Sequence, residues 1–76
     1  MTDHVLDARG LTCPLPVLRA KKALKLLESG QILTVLATDP SAKRDFPVFC
    51  AQTGQELVES AEDADDVFRF VIRKVD

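Results

Sequence analysis

Apolar and polar residues change spacing along the chain, and each change marks an element. Val5 and Leu6 open a short apolar stretch that gives way to Asp7-Ala8-Arg9-Gly10, the pattern of a strand ending in a loop with a flexible glycine. From Pro14 to Ser29 the apolar positions Val17, Ala20, Leu24 and Leu27 recur at steps of three and four, which lines them along one helical face, and Gly30 is placed to stop that helix. Ile32 to Thr38 is rich in β-branched residues and almost continuously apolar, as expected of a central strand with neighbours on both sides. Asp39-Pro40 reads as the cap and first residue of a second helix. Pro47 should kink or restart that helix near Phe46, and Gly54 should end it after the face formed by Phe46, Phe49, Cys50 and Thr53. Gln55 to Ser60 and Val67 to Lys74 then alternate, with Phe68, Phe70 and Ile72 inward and Arg69, Val71 and Arg73 outward. The acidic stretch Glu62-Asp63-Ala64-Asp65-Asp66 is the hairpin loop between them.

The resulting order, β-α-β-α-β-β, predicts an α+β protein. Crossovers through helices call for parallel pairing, whereas the short link between the last two strands calls for an antiparallel hairpin, so the four-stranded sheet should be mixed. Two helices covering one face of it make a two-layer α/β sandwich. At 76 residues and 8.4 kDa the chain has room for one domain, residues 1–76, and one core.

Composition narrows the function. Apolar residues make up 46% and charged residues 29%, a globular balance. A net charge of -2 and a pI near 5.3 argue against nucleic-acid binding through bulk positive charge, and the chain lacks the Tyr and Trp on which bases stack. Apolar runs are far shorter than the ~20 residues that span a bilayer. Met1-Thr2-Asp3-His4 has none of the features of a secretion signal, so a cytoplasmic protein without membrane association is expected. The two cysteines, Cys13 and Cys50, are expected to be free thiols, because a secreted chain this small would usually carry more of them. With no C-x-x-C pair and one histidine, no metal site and no cofactor are expected.

The chemistry concentrates at Cys13. It stands between Gly10-Leu11-Thr12 and Pro14, and a residue before proline is pushed out of the α region, which predicts Cys13 at the cap of the first helix. A sulfur there faces the positive end of the helix dipole, which favours the nucleophilic thiolate. Pro14 and Pro16 lack N–H groups, so direct solvation of the anion is thin and activation should be modest. Such a sulfur suits reversible handover more than hard bond cleavage. The bland alternative, a small buried hydrophobe, fits Cys50 better, since Cys50 shares a helical face with Phe46 and Phe49 and has no source of positive potential. Arg19, Lys21, Lys22 and Lys25 populate the outer side of the first helix together with Leu18 and Leu26, which reads either as a docking rim or as an ordinary solvated face. His4, alone and terminal, is assigned no role.

The string Leu6-Asp7-Ala8-Arg9-Gly10-Leu11-Thr12-Cys13-Pro14-Leu15-Pro16 resembles the signature L-D-x-x-G-x-x-C-P-x-P of the TusA/SirA-like family at every signature position. Asp39 to Cys50 is similar to the family's second-helix segment, and the resemblance covers essentially the whole chain. It implies a fold like the C-terminal domain of bacterial translation initiation factor three, and a role as a sulfur carrier. Cys13 would receive persulfide sulfur from a cysteine desulfurase or other donor protein and relay it to a downstream acceptor protein. In the family that relay feeds 2-thiouridine synthesis in tRNA, sulfur oxidation or molybdenum cofactor maturation, and the carrier acts stoichiometrically. Asp7 and Gly10 would shape the loop, and Arg44 and Asp45 would pair with each other or touch a partner. Two other readings compete: a non-catalytic regulatory or RNA-binding module, supported by the basic helix rim, and a thiol redox protein in which Cys13 forms a sulfenic acid or pairs with Cys50.

Overall fold

The structure is a computed structural model, and it describes residues 4–75. Strand β1 (His4–Ala8) leads to helix α1 (Leu15–Lys25), strand β2 (Ile32–Ala37), helix α2 (Ala42–Thr53) and the strands β3 (Glu56–Glu62) and β4 (Phe68–Arg73). A single 3₁₀ turn, Ala64–Asp66, lies between the last two strands. The four strands form one sheet in the order β1-β2-β4-β3. β1 runs parallel to β2, with Ala8 opposite Ala37, while β4 is antiparallel to both β2 and β3. The mixed sheet, the central place of β2 and the element order are as the pattern predicts.

One face of the sheet carries Ala8, Leu33, Val35, Ala37, Phe68, Phe70 and Ile72 into the core, where they meet Ala20, Leu24 and Leu27 from the α1 side and Phe46, Phe49 and Cys50 from α2. α1 lies against β1 and β2, and α2 against β3 and β4. The centre is aromatic. Phe46 and Phe70 are fully buried and stacked, with centroids 4.5 Å apart and planes within 17°, and Phe49 meets Phe46 edge-on at 6.5 Å.

Several boundaries differ from the sequence expectation, each for a tertiary reason. α1 stops at Lys25 rather than Ser29. Leu26 and Leu27 continue it only as tight turns, bonding back to Ala23 and Leu24, and the Lys74 ammonium donates to the Leu24 carbonyl at 2.8 Å. Leu27 still reaches the core, and Gly30, with φ +91°, serves instead to bring the chain beside Lys74, whose carbonyl accepts its N–H at 2.9 Å. α2 begins at Ala42 with Ser41 as its cap residue, two positions beyond the expected Asp39 cap. It runs through Pro47 as a single helix with no restart, and Gly54 closes it in the left-handed conformation (φ 78°). Thr53, expected on the buried face, is exposed, although its hydroxyl bonds the Phe49 carbonyl. Glu62 belongs to β3, opposite Phe68, so the hairpin loop is shorter than expected. A register shift between Leu57 and Glu59 bulges the edge strand at Val58.

Candidate functional site

Because β1 and β2 are parallel neighbours, their carboxyl ends stand side by side, and the segments that follow them meet at one end of the sheet. After β1 the chain turns at Gly10, whose φ of +80° disfavours any residue with a side chain and whose N–H donates to Thr38 Oγ1 at 2.9 Å. Leu11 packs against the core, and the Leu15 N–H closes a turn on the Thr12 carbonyl at 2.9 Å. Before that turn, Asp7 accepts both the backbone N–H and the guanidinium of Arg9. The Arg9 contacts hold the Asp7 carboxyl at a pKa of about 2. The Asp7–Arg9 pair and the Gly10 bond to Thr38 both lie in the loop that leads to Cys13.

Cys13 is exposed and sits one residue ahead of the helix cap, which is Pro14 (φ −98°, ψ 14°); the Cys13-Pro14 peptide is cis. Pro14 is exposed, whereas Pro16, in the first turn of α1, is buried and seats the helix start on the body of the protein. Two carboxylates take hold of Cys13 from the other side of the site. Its backbone N–H donates to Asp39 Oδ2 at 2.5 Å, and Asp39 Oδ1 in turn accepts the Ser41 N–H at 3.0 Å. These bonds, from Ser41 first and Cys13 second, lower the Asp39 pKa. The Cys13 thiol donates to Asp45 Oδ2 at 3.0 Å, and Arg44 Nε lies 3.6 Å from the other Asp45 oxygen.

This geometry overturns the expected activation of the sulfur. The hydrogen bond to Asp45 comes first, then partial desolvation, then the negative charges of Asp45 and Asp39, and together they push the Cys13 thiol above its ordinary pKa, with Arg44 pulling the other way. Two helices begin near Cys13, yet the charged groups closest to its sulfur are the carboxylates of Asp45 and Asp39. The surroundings favour the thiol over the thiolate.

Beside it opens a notch of about 360 Å³ with Pro14, Val17, Val48 and Phe49 as apolar walls and Arg44, Asp45 and Gln52 at its polar edge. Arg19 and Lys22 line a separate groove of about 500 Å³ with Leu6, Leu18, Ala23 and Leu26, while Lys21 and Lys25 are exposed elsewhere on α1. Leu18 and Leu26 are 53% and 81% exposed, so this face of α1 keeps its apolar side chains in solvent. Cys50 is buried and its pKa is raised by burial alone. Among the described residues, no group of three His, Cys, Asp or Glu side chains is arranged to hold a metal, and no helix is long and apolar enough to cross a membrane.

Sequence reasoning missed the pairing of Asp39 and Asp45 with Cys13, having assigned Asp39 to a helix cap and Asp45 to Arg44 or a partner. The signal was available in the topology. Parallel neighbours bring Cys13 and Asp39, which follow their carboxyl ends, to the same place, and Asp45 is one turn further on.

Comparison with known proteins decides the family, since the family model described as Sulfurtransferase TusA matches residues 4–74. The chain belongs to the TusA family. The Sulfur carrier protein TusA of Allochromatium vinosum is 56% identical over 72 residues, covering 95% of this chain and 93% of that protein. The Sulfur carrier protein TusA of Pseudomonas paraeruginosa is 45% identical over 74 residues, covering 97% and 94%. Among solved structures, a SirA-like protein from Desulfitobacterium hafniense shares the fold with a TM-score of 0.82 at 33% identity, covering 95% of this chain and 97% of that one. The segment from Leu6 to Pro16, on which the TusA/SirA-like resemblance rests, is the segment whose turn, braces and exposed sulfur form the site.

Proposed function

We propose that the chain is a sulfur carrier that holds sulfur as a persulfide on Cys13. The observation that carries this reading is the placement of Cys13. Its backbone is tied down by Asp39, its sulfur is exposed beside an apolar notch, and the whole lies within a chain of a family whose relatives are named sulfur carriers. A fixed backbone with an accessible sulfur suits docking of two proteins in succession, because the position of the attacking atom is set before either partner arrives.

In loading, Cys13 sulfur attacks the outer sulfur of a donor persulfide, the donor's S–S bond breaks, and the donor leaves as a thiol. Discharge repeats the exchange with an acceptor thiol attacking the outer sulfur held on Cys13. Like bonds replace like bonds, so direction comes from donor supply and acceptor consumption. A cysteine desulfurase or another persulfide-bearing protein fits the donor role, and the acceptor is a protein of tRNA thiolation, sulfur oxidation or molybdenum cofactor maturation. The chain acts stoichiometrically. Arg19 and Lys22, with exposed Leu18 and Leu26, line the groove on which such proteins dock, Lys21 and Lys25 add positive charge on the same helix, and Arg44 offers a further cation at the edge of the notch.

Intact-protein mass spectrometry after incubation with a cysteine desulfurase and cysteine tests the reading. A gain of about 32 Da per added sulfur is expected in wild type and Cys50→Ala and absent from Cys13→Ala. No gain in folded wild-type protein, with several desulfurases and with small persulfide donors, would reject it.

A further inference from the structure

The sulfur of Cys13 carries a neighbour that a simple nucleophile would not keep. Asp45 lies within the first turns of α2, its side chain is 23% exposed, and it points one oxygen at Sγ from 3.0 Å and the other toward Arg44 at 3.6 Å. The charged groups that face the sulfur are Asp45 and Arg44 from α2 and Asp39 from the β2–α2 link, two negative against one positive. Pro14 and Val17, where α1 approaches the notch, add no charge. A carboxylate beside a thiol disfavours the thiolate, and the thiolate is both the attacking and the departing form of sulfur in exchange.

We propose that Asp45 is a positioning residue for sulfur transfer that restrains Cys13 in both directions, holding the empty sulfur as a hydrogen-bonded thiol and making the loaded sulfur a reluctant leaving group. The restraint on loading and discharge rests on the carrier reading; the restraint on the thiol does not. In loading, Sγ gives up its proton as it bonds to the donor's outer sulfur, and the electron pair of the broken S–S bond stays on the donor sulfur, which takes up a proton. In discharge, the acceptor thiolate bonds to the outer sulfur and the electron pair of the broken bond returns to Sγ, which must be reprotonated beside Asp45. The transferred sulfur is neither oxidised nor reduced in net terms.

Both steps are slowed while the Asp45 charge is offset only in part by Arg44, which protects the empty carrier from stray electrophiles and the loaded carrier from stray thiols. The notch leaves room for a cationic side chain of a docked protein to cancel that charge, and Asp45→Asn imitates the cancelled state with the same side-chain shape.

The test follows alkylation of Cys13 by iodoacetamide against pH in the isolated chain, read by mass spectrometry of the Cys13 peptide so that Cys50 does not contribute. Asp45→Asn is expected to move the midpoint down. Each unit of that shift raises the neutral-pH rate about threefold, the roughly tenfold gain in thiolate being offset by its lower nucleophilicity. Asp45→Glu, which keeps the charge, should stay nearer to wild type. Arg44→Ala should move the midpoint up, and it provides an independent arm if the Asn variant is unstable. An unchanged or raised midpoint in folded Asp45→Asn, or an unchanged midpoint in folded Arg44→Ala, would overturn the proposal. On persulfide-loaded protein, discharge to glutathione should be faster in Asp45→Asn than in wild type, and equal rates would overturn the leaving-group half. If wild type cannot be loaded at all, the carrier reading fails, while the alkylation profiles still decide what Asp45 does to the thiol.

Discussion

Asp39 illustrates how much one side chain organises at this site. One oxygen fixes the Cys13 backbone and the other the Ser41 N–H at the start of α2, so a single carboxylate links two chain segments 26 residues apart. Asp39→Ala is expected to loosen the Cys13 loop while leaving the sheet intact, which amide hydrogen exchange would show as lost protection at Cys13 and Ser41 with little change in β2 and β4. Asp7 makes a pH prediction. Its pKa is depressed from 3.8 to about 2 by Arg9. The contribution of this pair to the loop is therefore complete above the unfolded pKa and is lost as pH falls through about 2. A carboxyl NMR titration should find a midpoint near 2 that returns toward 3.8 in Arg9→Ala. That Cys13 stands just ahead of α1 was legible, because the proline that follows it disfavours a helical backbone there, although the cap itself is Pro14. The electrostatics of Cys13 were not legible, because the carboxylate that sets them lies 32 residues away in sequence.

Among the elements, those with strong periodicity were placed correctly and their ends were not. The steps of three and four in α1 and the alternation in β4 follow from burial of one face, which sequence displays directly. The end of α1 depends on Lys74, which reaches the Leu24 carbonyl from the far end of the chain, and no local pattern announces that. Removing this bond with Lys74→Met should destabilise the protein by about 1 kcal/mol, measurable by urea unfolding. α2 carries the opposite kind of feature. Pro47 is exposed in the helix interior, where it offers no N–H to the preceding turn. Interior proline costs a helix ~3 kcal/mol, part of which it returns by stiffening the unfolded chain. Pro47→Ala is therefore expected to raise stability by about 1–2 kcal/mol, and a thermal midpoint no higher than wild type would show that tertiary packing already absorbs the cost.

At the scale of the whole molecule, a chain of 76 residues has little stability to spare, and the aromatic stack of Phe46 on Phe70 joins α2 to the sheet at its centre. Phe46→Ala should cost about 3–5 kcal/mol, enough to leave a substantial unfolded fraction at 25 °C. Circular dichroism with urea titration would measure it. The layer arrangement was readable because the helices and strands present one apolar face each, whereas the strand order was not, since β4 inserts between β2 and β3 and leaves only the first crossover joining neighbouring strands. What no reading of periodicity could supply was the meeting of Cys13, Asp39 and Asp45, since it exists only after both helices have settled on the sheet.

The bulge at Val58 bears on behaviour in concentrated solution. β3 is an outer strand with unpaired backbone groups along one side, an invitation for copies of the chain to add to one another as an extended ribbon. The register shift twists that edge, and Glu56, Glu59 and Glu62 along the strand are held by Arg73, Arg69 and Lys43. Self-association through this edge is thereby opposed, because an incoming copy finds no straight ladder of backbone groups to extend.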